Sequence, residues 1–262
     1  MAVGTRTYIQ ILTPRALTTR SDGEELLALW RDHLSEYYPQ RYGNCEPLEH
    51  AVEAATEYRI LDHWKWPLLT SRSSPSMESQ VFMRKGKLLQ HATWVLSLDG
   101  THLRQDLAIN FLRNAGLQLR ADFGCLTILS PDEAKRGRER GIVKSLDKRG
   151  TKFNFFISSQ SLQQSLPDVY WATFLGKPFL DWYGKDKLLA LPSHKIDLIS
   201  DNTLLIQATE SMNDLKTRWA DVSGVRDKCL RELCGDVQAT PYEKEIRQHG
   251  RPTFTFEAPS VS

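Results

Sequence analysis

Tyr170-Trp171-Ala172-Thr173-Phe174-Leu175-Gly176-Lys177-Pro178-Phe179-Leu180-Asp181-Trp182-Tyr183-Gly184 is the most distinctive stretch of the chain; Leu188-Leu189-Ala190-Leu191-Pro192 and a strand ending Leu204-Leu205-Ile206-Gln207 follow it. Its grammar is that of packing. Residues 169–174 read as a strand, Gly176 permits a tight exit from it, and Pro178 suits the first turn of the helix that follows. Phe179, Trp182 and Tyr183 recur at helical spacing, so they pack on a sheet. Gly184 lets that short helix stop, and Pro192 breaks the next apolar run. Residues 195–200 and 203–209 form a hairpin around Asp201-Asn202.

Working outward, strands are expected at 7–12, 78–84, 91–98, 125–129 and 152–157. Helices are expected at 49–64, 103–117 and from Ser130-Pro131, where Pro takes the first helical position. Ser21-Asp22-Gly23-Glu24 has capping-box spacing ahead of Leu26, Leu27, Trp30 and Leu34. Ser211 caps a long last helix that Gly235 stops. The elements intersperse without a steady βαβ alternation. That predicts an α+β fold: a largely antiparallel sheet with packed helices and a long C-terminal helix. Residues 1–235 read as one unit. Residues 236–262 form a tail that could dock through Phe254 and Phe256.

The chain has 262 residues, 40% of them apolar and 25% charged, with a formal net charge of +2. A chain this long can bury a core without disulfides or metal, and its charge points to neither a nucleic-acid binder nor a membrane-surface protein. Met1 to Gln10 holds no continuous apolar run and does not read as a secretory signal. No stretch reaches the roughly 20 apolar residues that span a bilayer. Cys45, Cys125, Cys229 and Cys234 are scattered. The last two are five apart, poor spacing for zinc, so free thiols in a reducing cytoplasm are expected.

No nucleophile elbow, P-loop, dinucleotide fingerprint or His-Glu-x-x-His helix occurs, and no two of the seven histidines are four apart. Asp132 and Glu133-Ala134-Lys135 superficially match a nuclease metal site. That chemistry needs its carboxylates on adjacent strands; here they crowd one helix start, where capping and dipole explain them. Lys135, Arg136, Arg138, Arg140, Lys144, Lys148, Arg149 and Lys152 make residues 135–152 basic, a solvated face unless exposed aromatics interleave it. No catalytic residue, metal ligand or cofactor is expected. Two alternatives stay open: a nucleic-acid-binding regulator using residues 135–152, and an enzyme whose site assembles from distant residues such as Glu46, His91 and Asp99.

The Trp-containing strand, the Gly-x-Pro turn, the aromatic-Gly helix and the Pro-terminated Leu run resemble those of a family of bacterial immunity proteins from polymorphic-toxin and type VI secretion systems. Tyr42-Gly43-Asn44-Cys45-Glu46-Pro47-Leu48 is similar to that family's Tyr-Gly-x-x-Glu-Pro-Leu element, and the resemblance covers about residues 36–234. It implies a cytoplasmic inhibitor of a secreted nuclease toxin of restriction-endonuclease fold. It supplies no contact residues. A nuclease site is basic, so acids are expected on the inhibitor, and the candidates are Asp197, Asp201, Glu210 and Asp214. Exposed aromatics could serve a homodimer equally.

Overall fold

Strand β1 (Arg6–Thr13) turns Ile9 and Ile11 to one side and Gln10 and Leu12 to the other, all buried. A strand buried on both sides belongs inside a sheet that is covered on both faces. The structure, a computed structural model, describes residues 6–85, 88–101, 103–145, 153–234 and 251–258. Lys148, Arg149 and Lys152 of the basic stretch, the Gly86-Lys87 turn, Gly235 and the tail before Arg251 lie outside the described residues. Around β1, ten strands form one sheet. On one side follow β6 (Ala92–Asp99), β5 (Met77–Phe82), β4 (Leu68–Arg72), β2 (Arg41–Gly43) and β3 (His50–Ala51). On the other follow β7 (Phe123–Ile128), β10 (Ala172–Leu175), β12 (Thr203–Gln207) and the edge strand β11 (Lys195–Ser200). Every neighbouring pair is antiparallel, so the fold is α+β. The strands of this sheet come from both sides of residue 140. A separate hairpin pairs β8 (Val143–Ser145) with β9 (Phe153–Phe155).

One face is covered by helices α1 (Arg20–His33) and α2 (Gln105–Gln118). Trp30 of α1, Trp94 of β6 and Phe111 of α2 meet edge to face at 5.4 and 5.2 Å between centroids, and Trp94 Nε1 donates to Ser79 Oγ at 3.0 Å. Such ring pairs add ~0.5–1.5 kcal/mol each beyond the area they bury. The α1 cap lies two residues upstream of the expected one. Thr19 Oγ1 accepts from the Asp22 amide, and Asp22 accepts from the Thr19 amide. Arg15 holds Asp22 at 2.6 Å and fixes that choice.

The second face has its own core. Leu12, Phe123, Leu175, Leu204 and Ile206 of the sheet pack with Phe179 of α5 (Lys177–Tyr183), Leu188 of α6 (Lys185–Leu189) and Leu162 of α4 (Ser159–Gln164). Leu230 and Leu233 of α8 (Trp219–Cys234) and Ala134 of α3 (Pro131–Glu139) complete it. The long last helix expected from Ser211 is interrupted: α7 (Asp214–Thr217) ends at Arg218 before α8 begins. Gly176 has an ordinary φ of −88°. Its requirement is space, because a Cβ there would lie 2.4 Å from the Ala121 carbonyl oxygen. Gly184, at φ +85°, is the one that needs glycine's conformational freedom, where α5 turns into α6.

A charged cluster is buried in this second layer. Arg226 of α8 is fully buried and donates to both carboxylate oxygens of Glu133 and to Asp168. Asp168 also takes both a 2.7 and a 3.0 Å hydrogen bond from Arg136, and Arg140 lies 3.4 Å away. Glu133, expected to serve only the α3 N-terminus, is thus an interior ion partner. Burial pushes the Asp168 carboxyl up, but Arg226, Arg140 and Arg136 together outweigh it and hold the group well below the usual carboxylate range.

Two outcomes follow from that cluster. Arg226→Ala leaves Glu133 buried without its guanidinium, while Asp168 keeps Arg136 and Arg140, and should cost about 3–5 kcal/mol in urea denaturation; a loss under about 1 kcal/mol would mean that the charge resolvates easily. Asp168 titrates near pH 4 when unfolded and below that when folded, so its contribution is present above about pH 4 and is lost as pH falls further. Stability should therefore decline below about pH 4. Asp168→Asn, less stable at neutral pH, should decline less steeply; equal slopes would place the acid sensitivity elsewhere.

Candidate interaction surface

Strand β5 shows what the second layer leaves uncovered. Met77, Ser79 and Val81 are buried on the α1–α2 side, while Glu78 and Gln80 are exposed and Phe82 is half-buried on the other. Across the sheet Glu78 lies opposite Ser97, Gln80 opposite Val95 and Phe82 opposite Thr93. Ser97 and Val95 then lie opposite Tyr8 and Gln10 of β1. Among the described residues the second layer covers β12, β10, β7 and β1, and the face over β6 and β5 forms a groove of about 420 Å³.

Its far wall is the chain leaving β9. Gln10 fixes that wall, since its Nε2 donates to the Ile157 carbonyl at 2.7 Å and its Oε1 accepts from the Ile157 amide at 2.9 Å. Phe155 packs on Tyr8 at 5.4 Å, and Phe156 meets Phe82 edge to face at 5.8 Å. Trp66, 45% exposed, continues the aromatic row 6.2 Å from Phe82, with Lys85 Nζ 3.4 Å over its ring. Leu88 and Leu89 are exposed nearby in sequence. At the other end Glu78 keeps 72% of its side-chain exposure and lies 3.9 Å from Arg6. Arg6 itself is taken up by Ser97 and Ser76. Aromatics in a polar rim are what a protein interface presents.

The acidic candidates lie elsewhere. Asp197 is on β11, six strands from β5 in the sheet order, or about 29 Å at the usual spacing. It is paired with Arg113 and with Lys195 at 3.1 Å. Asp201 is almost fully exposed at the hairpin turn, 3.7 Å from Lys185. Glu210 is exposed, and its carbonyl accepts from Gln105 and Gln207. Asp214 opens α7 and is half-buried. In the basic stretch, Arg136 and Arg140 turn inward to Asp168.

His91 does not join Glu46 and Asp99. His91 precedes β6 and Asp99 ends it, about 26 Å apart along the strand. It meets Asp122 and Ser159 instead. Its Nε2 lies 3.0 Å from Asp122 Oδ2 and its Nδ1 2.9 Å from Ser159 Oγ. The His91 amide donates to the same Ser159 oxygen at 2.7 Å. With Nε2–H donating to the carboxylate, Nδ1 accepts the serine proton, and all three groups are satisfied. Burial pushes the Asp122 carboxyl up, against the hydrogen bond and charge of His91. The order serine, imidazole, carboxylate is that of an activated nucleophile. Here it is sealed: the ring is buried, with Phe254 and Phe256 against it at 4.8 and 5.0 Å. The relay bolts α4 and the segment 251–258 to the sheet. Neither Asp122 nor Ser159 carries a motif that would have joined them to His91.

The remaining histidine contact is packing. His50 and His63 lie 4.1 Å apart beside Tyr42. No group of three or more His, Cys, Asp or Glu among the described residues could hold a metal, and no described helix is long and apolar enough to cross a membrane. No protein-family model matches the chain, and no curated protein matches it. Fold and surface together define a class: an α+β protein whose antiparallel sheet, among the described residues, carries helices α1 and α2 on one face and a second layer over part of the other.

The relay makes a testable distinction. His91→Ala should cost about 2 kcal/mol, as expected when a buried carboxylate loses its partner, and should speed chymotrypsin cleavage after Phe254, which packs on the His91 ring. Ser159→Ala should cost less, because His91 and Asp122 remain paired. Equal costs would show that the serine, not the His91–Asp122 hydrogen bond, holds the assembly.

Proposed function

We propose that the protein is a cytoplasmic immunity protein that binds and neutralises a cognate nuclease toxin, delivered by a type VI system, by blocking its active site or substrate access. The observation that carries this reading is the uncovered half-face with its row of Trp66, Phe82 and Phe156. A sheet that covers its other apolar surfaces with helices leaves such a face open for a partner. The aromatic row supplies anchors of the kind that dominate binding energy, and the resemblance over residues 36–234 supports the nature of the partner.

Co-expression with the toxin encoded by the adjoining gene tests the reading. The wild-type chain should protect the cell and co-purify with the toxin as a stoichiometric complex. Phe82→Arg with Trp66→Ala should weaken binding by at least about tenfold, as for loss of an anchor cluster, while Asp201→Lys on the distant hairpin should leave it unchanged. A folded wild-type protein that neither protects nor binds would sink the proposal.

A further inference from the structure

The groove has a chemical polarity that narrows what it can hold. Its one carboxylate, Glu78, lies at one end; Arg6 is 3.9 Å away but gives its hydrogen bonds to Ser97 and Ser76, and no cationic side chain is among the described residues that line the groove. Phe82 and Phe156 close the other end, and Tyr8 and Phe155 form a wall. Gln80 and Asn154 line it with amides that make no side-chain hydrogen bond among the described residues. About 420 Å³ falls at the small end of ligand sites, ~300–1,000 Å³. That is room for one long side chain on a partner's loop.

We infer that this groove takes an arginine side chain from the partner, its guanidinium seated on Glu78 and its stem and plane laid on the aromatic wall. Charge complementarity selects a cation. The aromatics select arginine over lysine, because a planar guanidinium stacks on ring faces and forks onto a carboxylate, whereas an ammonium is a strongly hydrated point charge. The carbonyl oxygens of Gln80 and Asn154 are acceptors for the remaining N–H groups, and a guanidinium has five to satisfy. From Glu78 to Phe82 is about 13 Å along the strand, so the charged and apolar ends suit a residue with a charged tip and an apolar stem. The inference rests on the binding-protein reading for its partner: a protein that acts on nucleic acid holds phosphates with Arg and Lys, and a blocker seated there meets those cations.

Two measurements decide it, and they separate it from the toxin assignment. In the first, the full chain is titrated with a Gly-Arg-Gly amide peptide and with its neutral citrulline counterpart, and amide chemical shifts are followed by NMR. Saturable shifts should centre on Glu78, Gln80 and Phe82. Citrulline and the Glu78→Gln variant should each weaken the response about tenfold or more, the loss of one charged hydrogen bond. In the second, Glu78→Lys should raise the Kd for the co-purified toxin by at least about tenfold with the melting temperature unchanged. No saturable shift in the groove, equal response to citrulline, or unaltered toxin binding by Glu78→Lys each overturns the inference. Failure of the wild-type chain to bind any toxin overturns the immunity reading instead, and the peptide titration still decides what the groove accepts.

Discussion

The guanidinium of Arg226, buried between Glu133 and Asp168, is the constraint around which the second layer is organised. A charge taken out of water is tolerated only when its partners are close; Arg226 puts Nη1 and Nη2 on the two carboxylates, while its Nε has no hydrogen-bond partner among the described residues. That requirement draws three remote segments to one point: α3 through Glu133 and Arg136, the approach to β10 through Asp168, and α8 through Arg226. The aromatic framework closes over it, with Tyr170 and Trp219 rings 5.4 and 5.6 Å from the guanidinium. Replacing such a cluster by apolar groups need not cost stability; what the ions supply is position, since α8 must sit where Arg226 reaches Glu133 and Asp168 together.

That position sets how far the layer reaches. With α8 and α3 held over β7, β10 and β12, the helices of the second face end near β1, and the sheet continues for five more strands. Covering those strands would take another layer. Among them β5 alternates buried and exposed residues, whereas all six residues of β7 are buried; β6, next to the second layer, still buries Thr93 and Val95. The groove is therefore built into the strand pattern and is held by rigid elements. Gln10, which belongs to the central strand, clamps its wall from beneath. A surface of that kind loses little conformational freedom on binding, and less of the contact energy is spent on ordering.

Local grammar and remote contacts divided what could be read. The aromatic-Gly helix, the hairpin around Asp201-Asn202 and the Pro131 helix start rest on neighbouring residues, and the structure has all three. The helix expected at 49–64 is instead the short strand β3 followed by 3₁₀ turns over Ala54–His63. Tertiary anchors override its apolar spacing. Leu61 and Trp64 press on Gly23, Trp64 Nε1 donates to the Leu17 carbonyl, and Asn44 Nδ2 reaches the carbonyls of His63, Lys65 and Pro67. Asn44 stands inside the Tyr42–Leu48 element, where its role as a carbonyl clamp has no local signature. The same holds for Arg226, which reads as one more helical residue until Glu133 and Asp168 are beside it.

The open face lies between those two cases. In burial, Met77–Phe82 alternates along the strand, the mark of one face in water. In sequence it does not, because Ser79 is polar on the inner face and Phe82 is apolar on the outer, so apolar periodicity hides the face. The search for acids then settles on Asp197 and Asp201, which are conspicuous beside a turn. Asp197 is neutralised by Arg113 and Lys195, so local acidity there produces little field. Glu78 is less conspicuous in sequence and its side chain stays 72% exposed at the end of the groove, 3.9 Å from Arg6. Asp197 is the more buried acid, 24% exposed, but two cations already sit on it. What distinguishes Glu78 is availability, since a carboxylate that holds no hydrogen-bond donor among the described residues keeps its acceptor sites for the charged N–H groups of a partner.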